Sequence, residues 1–124
     1  MESPQDLRVL VVEDNHDVAE MLRNLLATWG FTVEVAHTSQ EGIEAARQLA
    51  PHVVLCDIGL PDGDGYMVGS VLRQSDPTTG SRLIAVTGHG EPIDRQRALA
   101  AGFDQHFAKP VNTDLLLREI SAAY

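Results

Sequence analysis

Five polar residues in this chain stand out because of what each one follows. Glu13 and Asp14 come directly after the apolar run RVLVV, and Asp57 ends HVVLCD. Thr87 ends RLIAVT, and Lys109 follows FDQHFA. Three carboxylates, a hydroxyl and an amine are the groups needed to handle a phosphoryl group. Carboxylates held within about 4–5 Å repel by roughly 3–4 kcal/mol per pair at an effective dielectric near 20. Such a cluster is tolerable only if it binds a cation or shares a proton. Oxygen-only ligands select a hard ion, and a few carboxylates completed by waters suit Mg²⁺. The metal would bridge Asp57 and an incoming phosphoryl oxygen, making Asp57 a usable nucleophile. Thr87 would give a hydrogen bond, and Lys109 a positive charge, to the other phosphoryl oxygens. Lys109 is the only lysine against eight arginines, which fits a compact point charge better than a planar fork.

These residues can act together only if the chain brings strand ends to one place. Apolar runs alternate with helical patterns five times. Arg8–Val12 reads as a strand buried on both faces, followed by Val18, Leu22, Leu25 and Trp29 at helical spacing, with Gly30 as the stop. Phe31–Ala36 alternates like a half-exposed strand. Thr38 and Glu41 form a capping-box pattern that opens a helix ending before Pro51. His52–Asp57 is the third strand, and a Gly-, Asp- and Pro-rich loop leads to a helix over about Gly65–Gln74. Arg82–Thr87 is the fourth strand. Pro92 sits in the first turn of the next helix, which Gly102 ends. Phe103–Ala108 is the fifth strand, and Asn112 caps a last helix from Thr113 to about Ala122. This (βα)₅ order predicts an α/β, doubly wound parallel sheet of the flavodoxin-like kind, strand order 2-1-3-4-5. Its ligand crevice lies at the carboxyl ends of strands 1 and 3, where the order reverses.

Bulk composition narrows the classes further. The chain has 124 residues, 44% hydrophobic and 22% charged, enough for one self-sufficient domain over residues 1–124 with a core of about 7–122. A net charge of −9 argues against nucleic acid or an anionic membrane as partner. Met1–Arg8 lacks the apolar run of a signal peptide. The single cysteine, Cys56, suits a reducing cytoplasm.

The motifs VVEDN (Val11–Asn15), DIGLPDGDGY (Asp57–Tyr66), AVTGHG (Ala85–Gly90) and FAKP (Phe107–Pro110) together resemble those of response-regulator receiver domains, over about Leu7–Ala122. The resemblance implies that Asp57 is phosphorylated by a phosphohistidine of a histidine kinase or histidine phosphotransfer domain. It implies that Glu13, Asp14 and the backbone carbonyl of Gly59 hold Mg²⁺ with Asp57, and that Lys109–Pro110 is a cis peptide that places the lysine. It also implies a switch whose two surfaces bind different partners, with no chemistry except on itself: gain of the group, and its loss to water. The wording of the acceptor loop and of Gly88–Asp104 is closest to receivers attached to hybrid sensor histidine kinases, so a parent kinase or an output protein is a further expected partner. Gly59 and His89 occupy positions that vary in the family and are expected to tune phosphoryl lifetime. One departure concerns His106. The family usually has Tyr or Phe there, which rotates inward on activation, so His106 is expected either to act with Thr87 as an altered switch or to be an edge-exposed ring that only fills space on the partner-binding surface.

Other readings are weaker. A haloacid-dehalogenase-type phosphatase needs a DxD pair where Asp57-Ile58-Gly59 stands, and a flavin or nucleotide carrier needs a phosphate loop where Glu13-Asp14 stands. Asp62 and Asp64 suggest a calcium loop, but the closing Glu of an EF-hand is replaced by Arg73. Cys56 and Trp29 are expected in the core. His16, His37 and His52 lack metal-ligand spacing and are expected to serve the surface. Pro61 and Gly65 are expected to shape the acceptor loop.

Overall fold

Each apolar run forms a strand in the computed structural model, which describes residues 7–88 and 92–123. The strands are β1 (Arg8–Val12), β2 (Thr32–Ala36), β3 (Val53–Asp57), β4 (Arg82–Thr87) and β5 (Gln105–Ala108). The helices are α1 (His16–Thr28), α2 (Ser39–Leu49), α3 (Gly65–Gln74), α4 (Pro92–Ala100) and α5 (Thr113–Ala123). Within this five-stranded sheet all neighbouring strands pair in parallel, in the order β2-β1-β3-β4-β5, which is the flavodoxin-like arrangement. No helix of the described residues is long and apolar enough to cross a membrane.

Side chains alternate across each strand, and both faces are apolar. Val9, Val11, Leu55 and Ile84 pack with Leu22 and Leu26 of α1 and Leu116 and Ile120 of α5. Leu10, Val12, Val54 and Leu83 pack on the other side with Ala46, Val68, Leu72 and Ala98 of α2, α3 and α4. The edge strand β2 is half-exposed, as its alternating pattern requires. Thr38 and Asn112 cap their helices as the sequence predicts, and Asn15 is a third cap. Asn15 Oδ1 accepts from Val18 N–H at 3.1 Å, Thr38 Oγ1 from Glu41 N–H at 3.1 Å, and Asn112 Oδ1 from Leu115 N–H at 3.1 Å. Glu41 reaches back to the N–H of His37, at 3.1 Å, rather than to that of Thr38.

Three strands are shorter than the apolar runs, because Phe31, His52, Phe103 and Asp104 fall before the ladders. Phe31 and Phe103 are nonetheless buried. Trp29 is a correction: the residue is 52% exposed, not core. Helix α1 ends at Thr28, Gly30 turns the chain at φ 99°, and Leu26 and Phe31 fill the space beneath. The indole is left outside, beside Leu117 and Arg118 of α5. His52 is more than a surface residue, since its Nδ1 accepts from the Arg8 N–H at 3.0 Å where β1 begins.

Two contacts on the α3 side hold that helix in place. Gly69 lies so close to Phe103 that a Cβ would come within 2.4 Å of the ring. Arg73 donates to the carbonyls of Gly102, Thr79 and Ser81 and to Asp104 Oδ2, at 2.7–3.0 Å. Asp104 Oδ2 also accepts from Leu83 N–H at 2.8 Å, so one arginine ties α3 to β4 and to the turn that feeds β5.

Candidate functional site

Strand register builds the site. Val12 pairs with Cys56, Asp57 with Val86, and Thr87 with Ala108. Glu13 therefore emerges level with Asp57, while Thr87 and Lys109 emerge just beyond, on the same rim; Lys109 N–H donates to Thr87 O at 2.7 Å. One oxygen of each of Glu13, Asp14 and Asp57 lies within 4.8 Å of the others. Glu13 and Asp57 are 3% and 6% exposed, and Asp14 is open to solvent. Lys109 Nζ stands 2.9 Å from Asp57 Oδ2 and 3.2 Å from Glu13 Oε1. One ammonium against three carboxylates leaves an excess of negative charge aimed at one point. An all-oxygen donor set with that excess fits a hard divalent cation such as Mg²⁺.

The two buried acids titrate in opposite directions. Burial pushes Glu13 up to about 7; the Asn15 N–H at 3.1 Å opposes this, and the Asp57 and Asp14 carboxyl groups add to it. Burial also pushes Asp57 up, but the Lys109 ammonium, the Glu13 carboxyl and the Gly59 N–H at 3.1 Å outweigh it and hold Asp57 below the usual carboxylate range. Burial pulls Lys109 down, and hydrogen bonding to Asp57 more than restores it, so its charge is secure. Without metal, then, Glu13 is the more readily protonated of the two acids and Asp57 the more readily ionised. Cys56, buried beside Asp57, has its thiol pushed well up by burial and stays neutral in the core.

The loop after Asp57 doubles back on itself. Gly59–Leu60 pairs antiparallel with Gly63–Asp64, with Pro61 and Asp62 at the turn. Gly65 N–H donates to Ile58 O at 3.0 Å, and a Cβ on Gly65 would lie 2.6 Å from Asp57 O. Only glycine lets α3 begin this close to the end of β3. Asp64 caps α3 through Tyr66 N–H at 2.9 Å. Asp62 reaches α2 instead, accepting from Ser39 N–H at 2.7 Å and Gln40 N–H at 3.1 Å. Both acids are thus helix caps, and the Asp62 contact was not legible in the sequence.

Further along the rim, the Lys109–Pro110 peptide is cis. Thr87 Oγ1 lies 2.6 Å from His106 Nε2. His106 is half-buried on the α4 side; burial lowers its pKa, Asp94 opposes and Arg95 adds to the lowering. His89 lies outside the described residues. His37 was expected only at the surface, yet its Nδ1 lies 3.0 Å from Glu13 O and its ring stacks on His16 at 3.8 Å. A histidine just after β2 was the available signal. Glu13, Asp57 and Lys109 open onto a cavity of about 350 Å³, lined elsewhere mainly by apolar residues such as Val18, Met21 and Val111.

The raised Glu13 pKa has a consequence for stability. Folded Glu13 keeps its proton to about 7 against an ordinary 4.5. Its stabilising contribution is therefore complete below the ordinary value and is lost as pH rises through 7. In chelator, Glu13→Gln should match wild type at about pH 4 and exceed it by about 1–3 kcal/mol at about pH 8, measured by urea unfolding. A variant less stable than wild type at the higher pH would contradict the buried-acid account.

The chain matches the family model described as the response regulator receiver domain over residues 9–121. It is 30% identical over 118 residues to an uncharacterized 14.6 kDa protein of Leptolyngbya boryana, covering 95% of this chain and 90% of that one. It is 31% identical over 116 residues to the cell cycle response regulator CtrA of Brucella ovis, covering 94% of this chain and 49% of CtrA; the chain thus spans about half of that regulator. Among solved structures, a response regulator receiver domain protein (CheY-like) from Methanospirillum hungatei JF-1 superposes with a TM-score of 0.86 at 31% identity, over 94% of this chain and 91% of that one. With its acidic pocket of Glu13, Asp14 and Asp57, this chain belongs to the response-regulator receiver domains of two-component signalling.

Proposed function

We propose that this chain is a single receiver domain that accepts a phosphoryl group onto Asp57 from a phosphohistidine, in a Mg²⁺-dependent step, and thereby changes the surface it offers to partners. The observation that carries this reading is the pairing of an ionised Asp57 with Lys109 at 2.9 Å inside an all-oxygen, negatively charged cluster. A carboxylate oxygen of Asp57 attacks phosphorus, the donor's P–N bond breaks, and the electron pair returns to the donor imidazole. Mg²⁺, held by Glu13, Asp14, Asp57 and the carbonyl of Gly59, would neutralise the charge gathered between the carboxylate and the phosphoryl oxygens. Lys109 already bridges two carboxylates, so it can follow a phosphoryl oxygen without leaving the site. Thr87 supplies a hydroxyl to another oxygen. The donor would be a histidine kinase or histidine phosphotransfer domain in the cytoplasm, and the acceptor-loop wording favours a parent hybrid kinase over a separate output protein. Later hydrolysis returns Asp57 to its resting state.

His106 gives the switch its particular form. A neutral ring with its proton on Nδ1 accepts from the Thr87 hydroxyl at Nε2. Drawing Thr87 to the phosphoryl group breaks this bond and frees the ring to move, and the new negative charge favours its protonated form. The phosphoryl group thus biases a two-state element through Thr87.

Two experiments test this reading. After incubation with acetyl phosphate and Mg²⁺, hydroxylamine trapping and mass spectrometry should place the label on Asp57 and find none in Asp57→Asn; undiminished label in that variant refutes the assignment. In proton NMR titrations, the His106 pKa should rise when beryllofluoride, whose fluorines stand in for phosphoryl oxygens, is added. The rise should vanish in Thr87→Ala, and an unchanged titration removes His106 from the switch.

A further inference from the structure

Asp62 lies in neither the acid cluster nor the core, yet it is the best-tethered residue of the acceptor loop's tip. Its side chain is exposed, but its two oxygens accept from Ser39 N–H at 2.7 Å and Gln40 N–H at 3.1 Å, across more than twenty residues of chain. The first N–H groups of a helix have no partner within it and favour a carboxylate. In α2 the local cap Thr38 serves Glu41, and the two preceding N–H groups are served from the acceptor loop. The Ser39 N–H, ahead of that of Gln40, holds the Asp62 carboxyl below its ordinary pKa, so it is ionised where the helix needs it.

At the other end of this tether is the hairpin that follows Asp57. It consists of two paired positions, Gly59 with Asp64 and Leu60 with Gly63, and so short a ladder is not stable alone. Leu60 is buried and fixes one strand; Asp62 fixes the turn. Gly59, at the open end, is exposed, and its N–H holds Asp57 Oδ1 at 3.1 Å. Motion of the hairpin is therefore motion of the group that orients the acceptor carboxylate.

We propose that Asp62 is a positioning residue for the phosphoryl site: by clamping the hairpin to α2 it holds Gly59, and through Gly59 the orientation of Asp57 and of the metal's backbone ligand. This rests on the Mg²⁺-dependent acceptance at Asp57 proposed above. A carboxylate at this place in the loop serves the site from behind, through the backbone, without touching metal or phosphoryl group.

The test measures the Mg²⁺ dissociation constant by calorimetry on the metal-free chain, and the rate of Asp57 labelling by acetyl phosphate at low and saturating Mg²⁺. Asp62→Ala should weaken Mg²⁺ roughly 10-fold, the size expected for a group that orients a metal ligand from outside the first shell, and slow labelling most at low Mg²⁺. Asp62→Asn keeps one carbonyl acceptor and should fall between. Ser39→Pro removes the donor from the helix side. Proline is tolerated at the first helical position, and Thr38, at φ −135° and ψ 165°, already has the extended conformation proline requires before it. This variant should weaken Mg²⁺ as well, and combined with Asp62→Ala should add nothing further. Should Asp62→Ala not fold, the other two variants carry the test. A lower melting temperature with an unchanged Mg²⁺ constant would reduce Asp62 to a helix cap and overturn the proposal alone. A wild-type chain that neither binds Mg²⁺ nor labels at Asp57 would overturn the phosphoacceptor reading beneath it.

Discussion

Mutual repulsion among Glu13, Asp14 and Asp57 is the constraint around which the rest of the site is arranged. Their oxygens approach within 4.8 Å, and at that spacing each ionised pair costs roughly 3–4 kcal/mol at an effective dielectric near 20. Without metal the chain relieves this in two ways: burial pushes the Glu13 pKa up to about 7, and Lys109 places its ammonium against both Glu13 and Asp57. Neither removes the excess charge. A site left under-neutralised in this way is poised for a divalent cation and, with it, for the further negative charge of a phosphoryl group.

Holding acids together against their repulsion requires a rigid frame. Parallel pairing of β1, β3 and β4 supplies most of it, since the ladders fix Glu13, Asp57 and Thr87 on one rim. The acceptor loop, which has little ladder of its own, is fixed by close approach at Gly65 and by Asp62 on α2. Rigidity behind the site contrasts with the side-chain contact between Thr87 and His106 beside it, which no strand ladder holds.

Much of this was legible in the sequence, for identifiable reasons. Strand order followed from alternating periodicities, and the rim residues from their places after apolar runs, because parallel sheets put every strand's carboxyl end on one side. The caps Thr38 and Asn112 follow from local chemistry. What escaped was non-local. Asp62 looked like loop acid or failed calcium ligand, since nothing nearby in sequence shows that α2 will lie against it. Arg73 gave no sign of joining Gly102, Thr79, Ser81 and Asp104. Trp29 continued an apolar stripe, but the stripe outlasted the helix, and Phe31 took the core position.

The central claim is that these carboxylates tolerate one another through a cation, and unfolding free energy measured against Mg²⁺ concentration tests it most directly. An ion that binds only the folded state adds RT ln(1 + [Mg²⁺]/Kd), so stability should rise by about 1.4 kcal/mol at ten times the dissociation constant and keep climbing logarithmically. An unfolding curve indifferent to Mg²⁺ at every concentration would contradict the account.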